Sequence, residues 1–207
     1  VELQRRYDTG RANIGRLLTY MHGEGLIQRR EGHGWRFLPA LTSTAAYDAS
    51  YRFRLIIEPA ALREPTFAAD PAHLHRLIRA HRRLVERDLP QASYVLMYDV
   101  DAAFHAAIGQ WSGNSFIHQC VEQQNRLRRL TEYEFYADRA RMQESAREHL
   151  AILKALANGD TARAGALLHD HIARSWALRP AFQNGPAEAH AHDGTPAVQP
   201  IASGTFG

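Results

Sequence analysis

The stretch Tyr98–Ile108 constrains the fold more than any other part of the chain. Residues three and four apart on a helix share one face. Asp101, Phe104, His105 and Ile108 therefore form a single stripe, with Met97 one turn before it. A carboxylate and an imidazole stand where a helix normally presents apolar side chains to a core. Burying a carboxylate without a partner is costly, so the rest of the chain has to bring one to Asp101.

With 207 residues there is room for one mid-sized domain or two small ones. No run approaches the length of a membrane span, and no charged-then-apolar leader opens the chain. The single cysteine, Cys120, excludes an internal disulfide and fits a reducing compartment, so a cytoplasmic location is expected. A formal charge of +3 permits nucleic acid binding without demanding it. The chain starts with Val1, inside a helical pattern, and is expected to lack its true N-terminus.

Residues 1–38 read as a small DNA-binding unit. A short helix around Leu3 is followed by the turn formers Asp8, Thr9 and Gly10. A second helix from about Arg11 to Gly23 carries Ile14, Leu17, Leu18 and Met21 on one stripe. Leu26–Arg30 and Trp35–Leu38 then form a hairpin around a Gly-rich turn. Helix, turn, helix and hairpin make a truncated winged helix-turn-helix, whose second helix would enter the major groove of double-stranded operator DNA. Arg11, Asn13 and Arg16 lie on or near its polar face, and arginine and asparagine can grip guanine and adenine by paired hydrogen bonds. Arg29, Arg30 and His33 on the wing would meet phosphates. Solvated surface charge is the alternative reading of these six residues.

Residues 39–45 have the small, Pro-bearing character of a linker. From 46 to 179, six helical patterns follow one another: about 51–67, 73–88, 93–110, 115–137, 139–157 and 161–178. Short loops between them predict an antiparallel all-helical bundle, so the fold class is mainly α. The second of these helices is arginine-rich and reads as exposed, with His73, His75 and His81 on its surface. Residues 180–207 are rich in Ala, Gly, Pro and Thr and read as a disordered tail.

Two further histidines fall on apolar stripes. His149 shares a face with Ile152, Leu153 and Leu156, and His171 with Ala164, Leu167 and Leu168. Asp101, His105, His149 and His171 are thus inward polar groups on three helices. Three imidazoles and one carboxylate suit a borderline divalent metal such as Zn²⁺, Ni²⁺, Mn²⁺ or Fe²⁺. Taken singly, each is equally well a satisfied core polar residue, and both readings stay open on spacing alone. Arg54, set among Phe53, Ile57 and Ala61, and Arg126, Arg128 and Arg129 are cations on these helices, and Asn125 is a further polar residue there.

Two segments resemble known families. Glu24-Gly25-Leu26-Ile27, Arg30, Gly32 and Gly34 resemble the end of the DNA-binding domain of GntR-family bacterial regulators. Across the start of the recognition helix that family usually has Ser/Thr-Arg-Thr-Pro-Val-Arg-Glu-Ala, whereas this chain has Gly10 to Leu17, in which only Arg11 matches a family arginine. Arg54-x-x-Ile57-Glu58-Pro59-Ala60-Ala61, Asp101-x-x-Phe104-His105, Ser112-Gly113-Asn114, Glu148-His149-x-x-Ile152 and His171 resemble the FCD ligand-binding domain of the FadR-type branch. Pro65 departs from that pattern and should end or kink its helix.

The resemblance implies a homodimeric, ligand-responsive transcription regulator, most simply a repressor, rather than an enzyme. It further implies that Asp101, His105, His149 and His171 hold the metal, and that a small carboxylate or sugar-acid effector binds at or beside it. Arg54, Asn125 and Arg128 are the residues expected around that effector. A metal-dependent hydrolase using the same 3-His/1-Asp site is the competing expectation, and a purely structural metal is a third.

Overall fold

The computed structural model describes residues 2–23, 26–30, 32, 34–37, 41, 43–135 and 138–178. The N-terminal unit comprises α1 (Glu2–Arg6), α2 (Arg11–Gly23), β1 (Ile27–Arg30) and β2 (Gly34–Phe37). Asp8, between the two helices, has φ 44°, a left-handed geometry that Asp tolerates better than most residues. The strands pair antiparallel, with Ile27 opposite Phe37 and Arg30 opposite Gly34. Gly32 and Gly34 have φ of 70° and 81°, which fixes glycine at both places in the turn. The expected helix-turn-helix and hairpin are therefore present among the described residues, while the expected contact His33 lies outside them.

The remaining helices are α3 (Thr44–Ala61), α4 (Pro71–Arg83), α5 (Tyr94–Trp111), α6 (Ser115–Phe135), α7 (Arg139–Ala157) and α8 (Thr161–Ala177). Their starts are written in the sequence. Ser43, Asp70, Ser93, Asp138 and Asp160 each accept a hydrogen bond from a backbone N–H three residues on, the usual work of an N-cap. Within the bundle α5 lies against α6, α7 against α8, α4 against α7, and α3 against both α6 and α8. Their shared core includes Tyr47, Tyr51, Phe104, Ile108, Ile152, Leu153, Leu168 and Ile172. No helix among the described residues is long and apolar enough to cross a membrane.

The structure differs from the expected pattern at three places. The first bundle helix ends at Ala61 rather than near Phe67, well before Pro65. The helix expected over 73–88 is α4 followed by a π-helical turn, Leu84–Asp88. The bundle also begins earlier than residue 46: α3 starts at Thr44, and Leu41 of the expected linker is buried in the core. The Leu41 N–H donates to the Leu127 carbonyl, and its own carbonyl accepts from the Thr131 hydroxyl. The expected tail, 180–207, lies outside the described residues.

Candidate metal centre

α5 carries Asp101 and His105 one turn apart, α7 carries His149 and α8 carries His171. Because these three helices are neighbours in the bundle, the four side chains meet. One donor atom from each lies within 4.8 Å of all the others, and the residues are 1–7% exposed. The four candidate ligands expected from the sequence thus form a single buried cluster.

Each imidazole is held from outside. His105 Nδ1 lies 2.5 Å from Glu58 Oε2 on α3, and Glu58 Oε1 accepts from Arg54 Nε at 2.6 Å. His171 Nδ1 lies 2.6 Å from Glu148 Oε2 on α7, and Glu148 Oε1 accepts from Arg174 Nε at 2.6 Å. A carboxylate only accepts, so Glu58 and Glu148 fix a proton on Nδ1 of their partners and leave Nε2 facing the cluster. His149 Nδ1 is 3.1 Å from His81 Nε2 on α4. The ring of His149 stacks on Phe104, with centroids 3.9 Å apart and planes inclined by 17°. Asp101 Oδ2 accepts from Arg128 Nη2 at 2.5 Å, while Oδ1 stands 3.8 Å from His105 Nε2 and 3.7 Å from His149 Nε2.

These contacts set the charge states. Burial pushes the His105 imidazole down to about 4 despite the Glu58 carboxylate, and burial, followed by the crowding of the His171, His81 and His105 rings, holds His149 well below its usual value. Burial works against the charged form of Asp101 too, but Arg128, with His105 and Arg54, outweighs it and keeps the carboxyl well below the usual range. The result near neutral pH is a carboxylate at Asp101 and neutral rings at His105 and His149, the forms that bind metal.

A borderline divalent ion has bonds of about 2.0–2.2 Å to nitrogen and oxygen, so its ligands stand roughly 3–4 Å from one another. Closing the observed spread of up to 4.8 Å onto such an ion takes shifts of well under about 2 Å. The donor types, their number and their outer hydrogen bonds all fit such an ion.

The cavity beside the cluster is lined by Tyr51, Arg54, Arg128, Arg141, Ser145 and Ser175 as well as by cluster residues. Its free volume is about 20 Å³, room for one water. Of the three residues expected around an anionic ligand, Arg54 and Arg128 reach it. Asn125 stands behind them: its amide donates to the Ala102 carbonyl and its oxygen accepts from Arg128. Arg128 also pairs with Glu132 at 3.1 Å, and the Tyr51 hydroxyl donates to the same carboxylate.

His81 corrects the sequence reading. It was expected on an exposed, arginine-rich surface, yet it is fully buried. It lies four and seven residues after Leu77 and Leu74, on the stripe that α4 turns toward α7, and the surrounding arginines masked that spacing. Glu58 and Glu148 fall within the motifs, but their histidine partners lie on other helices, which no local spacing reveals.

In the N-terminal unit, Arg11, Asn13 and Arg16 are exposed on α2, and Arg29 and Arg30 are exposed on β1. Arg16 Nη2 donates to Asn13 Oδ1 at 2.6 Å, and Asn13 Nδ2 to Thr9 Oγ1 at 3.2 Å.

Residues 49–174 match the FCD domain family. No match was found among curated proteins. Among solved structures, the chain is similar to E. coli McbR/YncC, with 15% identity, a TM-score of 0.62 and coverage of 86% of this chain and 83% of that one. It is also similar to the Listeria monocytogenes protein Lar, described as controlling expression of the agr system (14% identity, TM-score 0.61, 85% and 82% covered). A third similar structure is a Rhodococcus sp. RHA1 protein described as a transcriptional regulator GntR (17% identity, TM-score 0.59, 85% and 83% covered). With its helix-turn-helix, hairpin and helical bundle in that order, the chain shares the fold of these structures, and through residues 49–174 it belongs to the FCD domain family.

Proposed function

We propose that this chain is a cytoplasmic, homodimeric, metal-dependent repressor that releases operator DNA when a small organic acid binds its helical domain. The observation that carries the reading is the buried Asp101, His105, His149 and His171 cluster inside an FCD bundle that follows a winged helix. A divalent ion held there would supply a Lewis-acidic point to which a carboxylate or sugar-acid group binds. The chain's own residues do the rest. Arg128 holds Asp101 through Oδ2 and leaves Oδ1 toward the cluster. Arg54 and Arg128 line the cavity, and a ligand carboxylate would share them with Glu58, Asp101 and Glu132, which already hold them. Arg11, Asn13 and Arg16 would read bases, and Arg29, Arg30 and His33 would hold phosphates.

The hydrolase reading needs a base near the cluster that is free to take a proton. Glu58, Glu148 and Glu132 are instead each held by an arginine and a second donor, so the arrangement favours ligand sensing over water activation.

Metal analysis of the purified full-length protein, before and after dialysis against chelator, is expected to return one divalent ion per chain. In mobility-shift assays with upstream DNA, a panel of small carboxylates and sugar acids should then include one that releases the complex. His149→Ala should abolish the metal and that response while leaving the helical fold. Unfolding of His149→Ala would instead mark the metal as structural, and failure to bind any genomic fragment would remove the regulator reading.

A further inference from the structure

We infer that His81 is a positioning residue that makes the histidine cluster receptive to metal, by forcing His149 into the tautomer whose Nε2 is bare. The inference rests on the metal reading above.

For neutral rings, the hydrogen bonds from Leu77 to His149 admit one assignment of protons. His81 Nδ1 lies 2.8 Å from the Leu77 carbonyl oxygen. A carbonyl only accepts, so the proton is on His81 Nδ1. The ring is fully buried between that carbonyl and a second imidazole, surroundings that favour the uncharged form, and the uncharged ring keeps a lone pair on Nε2. His149 Nδ1 faces that lone pair at 3.1 Å and must therefore donate to it. A neutral imidazole carries one N–H, so His149 Nε2 is bare.

The consequence appears on the other side of the ring. His149 Nε2 lies 3.0 Å from His171 Nε2. His171 turns Nδ1 toward Glu148 as a donor. With one proton on that ring its Nε2 is bare, and two lone pairs meet across 3.0 Å, with the Asp101 carboxylate 3.7 Å from His149 Nε2. A cation between them, either a proton or a metal ion, relieves this arrangement, and a divalent ion does so for three ligands at once.

Without an acceptor at position 81, His149 is released to take the other tautomer. Its Nε2–H would then donate to His171 Nε2, and the core would be satisfied with no metal. His81 thus selects between a self-satisfied polar core and a metal site. Glu58 and Glu148 do the corresponding work for His105 and His171 as anions; His81 does it as a neutral group, steered by a single backbone carbonyl.

His81→Phe removes the acceptor and keeps an aromatic ring against Phe104, while His81→Gln restores an acceptor. Full-length protein is stripped with chelator, and Zn²⁺ affinity is read by competition with a coloured chelator. Nitrogen-15 spectra of the imidazoles report the tautomer of each ring. The expected result is His149 protonated on Nδ1 in the metal-free wild type and on Nε2 in His81→Phe. Zn²⁺ affinity should be 10- to 100-fold lower in His81→Phe and largely recovered in His81→Gln. Thermal unfolding of metal-free His81→Phe should show a folded domain, which a merely structural role would not leave intact with altered binding. If His81→Phe fails to fold, the wild-type spectrum and His81→Gln decide the matter. Wild-type His149 protonated on Nε2, or unchanged Zn²⁺ affinity in His81→Phe, overturns the inference and leaves the metal reading standing. A wild type that binds no Zn²⁺ removes the metal reading and this role with it.

Discussion

Arg54 Nη2 lies 3.2 Å from Nε2 and 3.4 Å from Nδ1 of His105, beside both ring nitrogens at once. The same guanidinium holds Glu58 through Nε, and Glu58 holds His105 through Nδ1. Arg54, Glu58 and His105 therefore form a closed, fully buried triangle in which one carboxylate neutralises one cation. Because Nη2 stands beside both ring nitrogens, it does not fill the Nε2 lone pair.

Glu58→Gln should break this triangle. It leaves the Arg54 charge buried without its anion, and breaking a buried pair in this way costs about 3–5 kcal/mol. Urea denaturation of metal-free protein should show a loss of that size. His105 would also lose the carboxylate that fixes its tautomer, so Zn²⁺ affinity should fall by roughly 10- to 100-fold. A variant as stable as wild type would mean that Arg54 finds another partner.

The metal-free domain should lose stability as pH falls from 7 to 5. Unfolded His105 takes up a proton near its ordinary value of about 6.5, whereas the folded ring does so only near about 4. Between those limits the unfolded chain binds more protons, so acidification favours unfolding. At pH 5 His105 alone accounts for roughly 2 kcal/mol, and His149, shifted in the same direction, adds to it. Glu58 and Asp101 are held below their usual range and weaken the fold further only at lower pH, with the same sign. Thermal melts in chelator at several pH values test this; an unchanged midpoint between pH 7 and 5 would contradict it.

Gly113→Ala should destabilise the bundle more than Gly159→Ala. Both glycines have left-handed backbones, at φ 71° and 74°, so each substitution carries roughly 1–2 kcal/mol of backbone strain. A Cβ at Gly159 would meet open space, but one at Gly113 would stand 2.9 Å from Cβ and Oγ1 of Thr66. That hydroxyl donates to the Ser112 carbonyl at 2.6 Å, so it cannot withdraw without a further loss. Paired thermal melts should place Gly113→Ala below Gly159→Ala, and equal midpoints would show that the Thr66 contact gives way freely.

In the winged helix, Arg30→Ala and Asn13→Ala should behave differently. Loss of a phosphate contact at Arg30 should weaken binding to all DNA alike and reduce the salt slope by about 1. Loss of a base contact at Asn13 should relax sequence preference at one position and cost about 1–3 kcal/mol. Binding isotherms over a range of salt, on operator and unrelated DNA, separate the two. Uniform loss in both variants would count against Asn13 as a base reader.

The four cluster residues were legible because each interrupts an apolar stripe, and a polar residue at a core position announces itself through periodicity alone. The caps Asp70 and Asp160 are legible for a similar reason, since each acts on backbone only three residues away, whereas Ser43, which caps α3, falls in the expected linker. The outer partners were not legible. Glu58 and His105 are 47 residues apart, and His81 and His149 are 68 apart. Such pairings are fixed by how α3, α4, α5 and α7 pack, which no window of sequence contains. Pro59 also sits inside α3 without ending it, whereas the turn before Pro65 does end it.

Leu41 and Arg128 are held by the same turn of α6. The Leu127 carbonyl and the Thr131 hydroxyl clasp Leu41, and Arg128, between them, carries Asp101. Leu41 also lies two residues before the Ser43 cap of α3, on the run of chain that follows the hairpin in sequence. One turn of α6 thus anchors both the partner of Asp101 and the chain that enters the bundle.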